Sequence, residues 1–568
     1  MEPRFNLIDE AWVCVMREDG ATEQLSLRNV LLNAQNYRAL AGETPTQDVA
    51  MLRLLLAVLY AALFGEEQPE TPDDALDAWE NLWKAGRFPE DMIQRYLERW
   101  HERFWLFHEQ FPFMQVPVGQ DGMTMENAWE KSLLCKTKGK PASGIQTASK
   151  LNGSIMESGN KEKLFNHSTG EEKTSLSLPA AARWLVHVVN FDDGGIKPYY
   201  PKNTAMNRTD ERAKCTVAWR GSISPIFAEG KNLFETLLLN LVLLKDGSTD
   251  PENAWDPPHP VWERESPSLV ESVGVPVPND PAALYTMPFR RILLVRCDER
   301  VLGFLRYVGE GFNRETAQAE QMTLWTLPKP KKGEISVPKP RTARIPAQMW
   351  RELTAITSGE ASAGPRPGVV QWISLLVHSK ILPWDRCTFH YVKALYDVAQ
   401  SSNITEVIED RVSFSAGLLV EAGRPWNNLL SQELSLYEKA AWQLGLLARD
   451  LLDAEGGKVS EGKSKLTPTA AAVSEEAEER FYFSLDAPFR KWLVTIQAED
   501  DSEERQERIG TLRKTVLATA LRCGQELINQ VSPAAFGKRR SDDKMPHRTA
   551  PEAWGIFRAA IYKLLRES

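Results

Sequence analysis

Residues that could carry out bond-making chemistry are thinly spread along this chain of 568 residues. The eight histidines are His101, His108, His167, His187, His259, His378, His390 and His547. His101-Glu102 begins like a helical zinc motif, but His108 follows at seven residues, the wrong spacing for two ligands on one helical turn. No His-Asp doublet of the metal-dependent phosphohydrolase kind is present. Gly456-Gly457-Lys458 lacks the preceding strand and the spaced first glycine of a phosphate-binding loop. Gly221-Ser222-Ile223-Ser224 lacks the second glycine of a nucleophile elbow. The carboxylate pairs Asp192-Asp193, Asp500-Asp501 and Asp542-Asp543 fall in loops or charged faces, where solvation is the default expectation. With every common catalytic pattern missing over so long a chain, a binding role is the better reading.

The six cysteines, Cys14, Cys135, Cys215, Cys297, Cys387 and Cys523, stand singly, without metal-ligand spacing or a disulfide framework. Neither a metal nor another cofactor is expected, and the compartment expected is a reducing cytoplasm. The start, Met1 to Asp9, lacks a signal-peptide apolar region. The most apolar stretch, Val49 to Phe64, is interrupted by Arg53 and reads as too short to span a bilayer, so no membrane partner is expected. A net charge of −9 is unlike a free-standing nucleic-acid binder, yet it leaves room for local contact. Three runs are basic: Lys131–Lys163, Lys329–Arg344 and Lys538–Arg548. Each is either a solvated face or a phosphate contact. Trp12, Trp79, Trp83, Trp100, Trp105 and Trp129 crowd the first quarter, most simply as core and interface anchors, with base stacking the sharper alternative.

The elements that would position any site are mixed at first and helical later. Trp12 to Met16 with the turn Asp19-Gly20 predicts a hairpin. Val49, Leu52, Leu55, Leu56, Leu59 and Leu63 predict a helix closed by Gly65. Further helices are predicted over 73–107, 179–189, 232–244 and 369–378. Strands are predicted at 292–297, 301–307 and 388–395. Residues 136–175 are polar and aperiodic, and 248–281 are proline-rich. From about Asn427 four long amphipathic segments follow: 429–452, 475–493, 502–530 and 550–565. The expected class is α+β: a mixed N-terminal domain with inserted loops over 1–426, then a C-terminal four-helix bundle over 427–568.

Several strings, in order, resemble one family. Phe5-Asn6-Leu7-Ile8-Asp9 precedes Trp12-Val13, and Phe111-Pro112-Phe113-Met114-Gln115 follows a Trp/Phe-rich helix. Then come Ser158-Gly159-Asn160 with Leu164-Phe165-Asn166-His167, Arg480-Phe481 with Pro488 to Leu493, and Asn529-Gln530-Val531 with Pro533. Together they resemble the large subunit of the type I-E CRISPR Cascade complex, the CasA family, across nearly the whole chain. The resemblance implies a non-catalytic subunit that checks a short motif beside the target in double-stranded DNA and helps open the duplex. Guide CRISPR RNA then reads the rest by base pairing. It also implies as partners the other Cascade subunits (backbone, small and handle-binding) and a separate helicase–nuclease.

Site residues follow from the resemblance one by one. Gly194-Gly195 with Lys197 is similar to a turn that meets DNA: paired glycines let backbone approach a groove, and the lysine can meet a phosphate, although a simple turn after a helix explains the same residues. The family's minor-groove cation falls on Arg290 or Arg291, with an edge-strand salt bridge as the alternative. Its wedge glutamine, four residues past a tyrosine, falls on Gln400 after Tyr396, between Ala399 and Ser401. Ala399 stands where the family is usually polar, and one residue is added before Glu406-Val407, which puts the motif preference in question. A planar amide at a hairpin tip can replace stacking on the last base pair. Phe165 and Asn166 correspond to a loop that docks on the guide RNA's 5′ handle, the alternative being that Phe165 folds back onto its own domain. A metal-dependent nuclease with an unfamiliar site, or a pure scaffold, are the competing function classes.

Overall fold

An apolar run broken by a single charge, as Val49–Phe64 is by Arg53, can be tolerated only where every face of the helix is covered, and helix Pro45–Phe64 is buried on all sides. Thr44 caps it by accepting from the Gln47 amide, and Pro45 at its start costs no hydrogen bond. The helix begins one turn earlier than the apolar run, so its length alone would allow a span. Instead it is the central core helix, packed against Pro281–Thr286, Leu178–Phe191 and Glu90–Arg99. Arg53, 1 % exposed, donates to Glu320 through two nitrogens at 2.6 and 2.9 Å.

The computed structural model describes residues 3–117, 146–153, 156–158, 161–162, 174–199, 212–265, 273–330, 336–342, 347–358, 364–382, 386–396, 404–461, 465–537 and 548–566. They form two compact units. The first takes in Met1–Ala347, Gly359–Leu382 and Thr388–Arg411; the second takes in Gln348–Ser358, Pro383–Cys387 and Val412–Ser568.

Small antiparallel sheets complete the first unit. Val13–Arg17 lies between Thr22–Leu25 and Tyr37–Leu40, turning at Gly20, whose φ of +82° needs no Cβ to clear. Arg290–Cys297 pairs with Arg300–Val308 around Asp298, itself left-handed at φ 49°. Gln115 fastens the Phe111–Gln115 string to that hairpin: its amide donates to the Leu106 carbonyl at 2.7 Å and accepts from the Leu294 N–H at 2.9 Å. A third sheet orders Ile226–Glu229, Arg386–Tyr396 and Ile404–Ser415. Trp12 and Trp79 are fully buried, the core role rather than a stacking one.

In the second unit, helices Arg424–Ala454, Pro468–Leu493, Ser502–Gln530 and Ala550–Arg566 pack on one another. Their shared interior holds Trp426, Tyr437, Phe481 and Phe489. Trp350 stacks on Phe489 at 4.3 Å and donates to Asp486 at 2.8 Å. Asp501 caps the third helix in a reciprocal box with Glu504. The fold class is α+β, as the sequence predicts.

Candidate nucleic-acid interface

Helix Leu178–Phe191 starts at Ser177, whose hydroxyl accepts from the Ala180 amide, and ends where Asp192 leaves helical geometry. A buried carboxylate must find cations or lose its charge. Asp192 finds three, being 4 % exposed itself. Arg290 Nε donates to Oδ2 at 2.5 Å, Lys197 Nζ stands 3.2 Å from the same oxygen, and Arg306 donates to Oδ1. Burial alone would raise the Asp192 pKa, but Arg306, Lys197 and Arg290 hold it well below the usual carboxylate range. Asp193 takes Lys197 at 2.8 Å and Arg306 at 3.2 Å; burial, and then Asp192 beside it, push its carboxyl upward. This carboxylate pair is therefore an internal ion cluster and not the solvated pair its sequence predicts.

The cluster sits under the Gly194-Gly195 turn. Lys197 Nζ also donates to the Asp193 and Gly194 carbonyls at 3.0 and 3.1 Å, and Arg290 donates to the Asp193 carbonyl at 2.8 Å. Gly195 has φ +112°, with nothing within 4 Å of where a Cβ would stand, so the turn needs glycine for its backbone and faces open space. From it, Gly195–Pro198 pairs antiparallel with Arg212–Cys215.

Strand alternation divides the predicted arginines. Arg290 points to the turn, whereas Arg291, on the opposite face, donates to Glu310 at 2.9 Å and to the Val308 carbonyl at 2.9 Å. Arg290, Arg291 and Lys197 are each 3 % exposed or less, all committed to acids and carbonyls of their own chain. The expectation that Lys197 stands out toward a phosphate meets this difference: in a strand whose neighbour Ile196 faces out, Lys197 must face in.

Tyr396, the residue from which the wedge is counted, ends strand Arg386–Tyr396 with its hydroxyl donating to the Phe191 carbonyl at 2.6 Å, one residue before Asp192. Gly221 makes room for it, since a Cβ there would collide with the Tyr396 hydroxyl oxygen. Thr405 ties the returning strand back to the Leu395 carbonyl at 3.1 Å. The base of the hairpin and the glycine turn thus share one support. Ala399, Gln400 and Ser401 lie outside the described residues, as do Phe165 and Asn166.

Arg306 escaped the sequence reading because its role depends on pairing opposite Ile292 and so joining Arg290 at the acids. Asp-Asp-Gly-Gly after a helix was the available signal, and it gives no hint of which cations come to it. Lys393 was missed as well: its ammonium is buried, donates to the Ile223 carbonyl at 2.7 Å, and is pushed down to about 8 by burial and by Arg314. Of the basic runs, Lys339 pairs with Glu315 at 2.9 Å and Arg548 with Asp450 at 2.7 Å; Lys150 is exposed. Lys131, Lys136, Lys138, Lys140 and Lys163, with Lys538, Arg539, Arg540 and Lys544, lie outside the described residues. Among the described residues no group of three or more His, Cys, Asp or Glu could hold a metal ion.

Residues 6–523 match the family model described as CRISPR-associated protein Cse1. The CRISPR-associated protein CasA/Cse1 of Thermus thermophilus is 27 % identical over 517 residues, covering 87 % of this chain and 88 % of that protein. The crystal structure of Thermobifida fusca Cse1 superposes with a TM-score of 0.76 at 28 % identity, over 100 % of this chain and 99 % of that one. A chain of a CRISPR RNA-guided surveillance complex shares the fold, with a TM-score of 0.65 at 16 % identity over 99 % and 100 % of the two chains. This chain belongs to the CRISPR-associated Cse1, or CasA, family, the large subunit of type I-E Cascade.

Proposed function

We propose that this subunit inspects the motif beside the target in double-stranded DNA, helps part the duplex so that guide RNA can pair, and offers the helicase–nuclease its docking surface. It works by binding, and bond cleavage falls to that partner. The observation that carries the reading is the Tyr396–Phe191 hydrogen bond of 2.6 Å. It ties the strand leading to Ala399, Gln400 and Ser401 to the residue next to the Asp192 cluster. A wedge can unstack a base pair only if its base does not yield, and burial with a fixed hydrogen bond supplies that stiffness. The Gly194-Gly195 turn, open at Gly195 and backed by Arg290 and Lys197, gives the backbone an approach to the duplex. Phe165 and Asn166 take the guide RNA's 5′ handle, and the neighbouring Cascade subunits complete the particle, in keeping with the fold shared with a surveillance-complex chain.

The test is target binding by the reconstituted complex on duplexes that differ only in the adjacent motif. Gln400→Ala leaves assembly with guide RNA intact and weakens target binding at least tenfold. Unchanged binding removes the wedge assignment, and indifference to the motif in the parent complex leaves a scaffold. DNA cleavage by the purified chain with magnesium or manganese, abolished by substituting its own Asp or His residues, would favour a nuclease instead.

A further inference from the structure

Gly195–Pro198 and Arg212–Cys215 form a two-stranded ribbon, and its two faces differ in chemistry. Alternate side chains of a strand point to opposite faces. Lys197 turns inward at 3 % exposure, and its predecessor Ile196 stands out at 71 %. The register places Lys214 directly across from Ile196, and Lys214 is also exposed. Cross-strand partners hold their Cβ atoms about 5 Å apart on one face, so an apolar side chain and an ammonium stand together there.

What covers this face is indicated by charge. Beneath it, among the described residues, the three cations Lys197, Arg290 and Arg306 pair with two carboxylates, Asp192 and Asp193, so the described cluster carries one positive charge in excess. Lys214 adds a second at the surface. An anionic, semi-apolar partner matches such a face: the phosphates and deoxyribose edges of a duplex provide both. Ile196 is β-branched and stiff, so ordering it against a sugar loses little conformational freedom. The open space before Gly195 lets the backbone follow.

We propose that Ile196 and Lys214 are the side chains through which this ribbon meets the target duplex, Lys214 on a phosphate and Ile196 against the deoxyribose edge. The inference rests on the reading of this chain as the DNA-inspecting subunit, and it assigns the phosphate contact to Lys214 rather than to Lys197. The two contacts carry different salt signatures. A phosphate contact releases about 0.9 counterion per charge neutralised, whereas an apolar contact releases none.

The experiment measures affinity of the reconstituted complex for a motif-bearing duplex across a series of salt concentrations. Lys214→Ala is expected to weaken binding and flatten the log K against log salt slope by about one. Lys214→Arg restores the slope. Ile196→Ala is expected to weaken binding about three- to tenfold, as the loss of one small apolar contact would, with the slope unchanged, and Ile196→Leu to recover most of it. Parent affinity and slope in both alanine variants would overturn the proposal. So would failure of those variants to enter the complex, because the face would then be a protein contact. A parent complex indifferent to the motif overturns the underlying reading, which is distinguishable because it requires no variant.

Discussion

Replacing Asp192 with asparagine keeps the shape of the side chain and removes the one charge on which three cations converge. In the parent, Oδ2 accepts from Arg290 at 2.5 Å with Lys197 at 3.2 Å, and Oδ1 accepts from Arg306. The asparagine side chain keeps one acceptor oxygen, uncharged, and turns its own N–H donors toward the cations on the other side. Removing one partner of a buried ion pair costs about 3–5 kcal/mol, because the other charge stays desolvated. Asp193, already bonded to Lys197 and Arg306, cannot compensate all three cations. Asp192→Asn is therefore expected to lower the opening free energy of the ribbon by about 3–5 kcal/mol. Asp193→Asn, whose cations keep Asp192, should lower it by only about 1–2 kcal/mol. Native-state hydrogen exchange of the backbone amides in Gly195–Pro198 and Arg212–Cys215 reads both numbers. The pH dependence has a definite sign. Because the folded pKa of Asp192 is depressed, its contribution is present above the ordinary carboxylate range of about 4 and is lost as pH falls toward the folded value. A difference under about 1 kcal/mol between Asp192→Asn and the parent at neutral pH, or equal effects of the two substitutions, would refute the idea that Asp192 organises the turn.

Two further outcomes follow from the same core. Gly221→Ala drives a methyl into the Tyr396 hydroxyl and should destabilise the first unit by about 1–3 kcal/mol; in a Tyr396→Phe background part of that cost should disappear, and strict additivity in urea denaturation would contradict the contact. Asp48 gives the opposite pH behaviour to Asp192: burial pushes its carboxyl up to about 7, with the Gly42 amide lowering and Glu409 raising it. Its folded pKa lies above the unfolded one, so its contribution is full below about pH 4 and is lost as pH rises through about 7. Asp48→Asn should consequently gain in thermal midpoint over the parent as pH rises from about 5 to about 8, and a pH-independent offset would count against the burial.

Much of the architecture is written locally. The apolar run Val49–Phe64, one turn behind a Thr-Pro cap, marks a helix that must be covered on every face, and Asp501 with Glu504 marks a helix start that any environment would respect. The collinear strings that carry the family resemblance are local too, and Phe113 and Gln115 proved to be core and stitching residues. The site was legible only in part. Gly194-Gly195 announces a turn, and Tyr396 marks the end of a strand. Nothing near them in sequence says that Arg290 and Arg306, about a hundred residues on, will close over Asp192.

The sequence by itself determined the periodicities, caps and glycines, because these depend on neighbours a few residues away. Only the tertiary structure decided which cations are buried and which are offered to a partner. That choice turns on strand register: one residue either way exchanges Ile196 with Lys197 and Arg290 with Arg291. Register is set by the packing of distant segments, so no local rule for lysine or arginine could have foretold it.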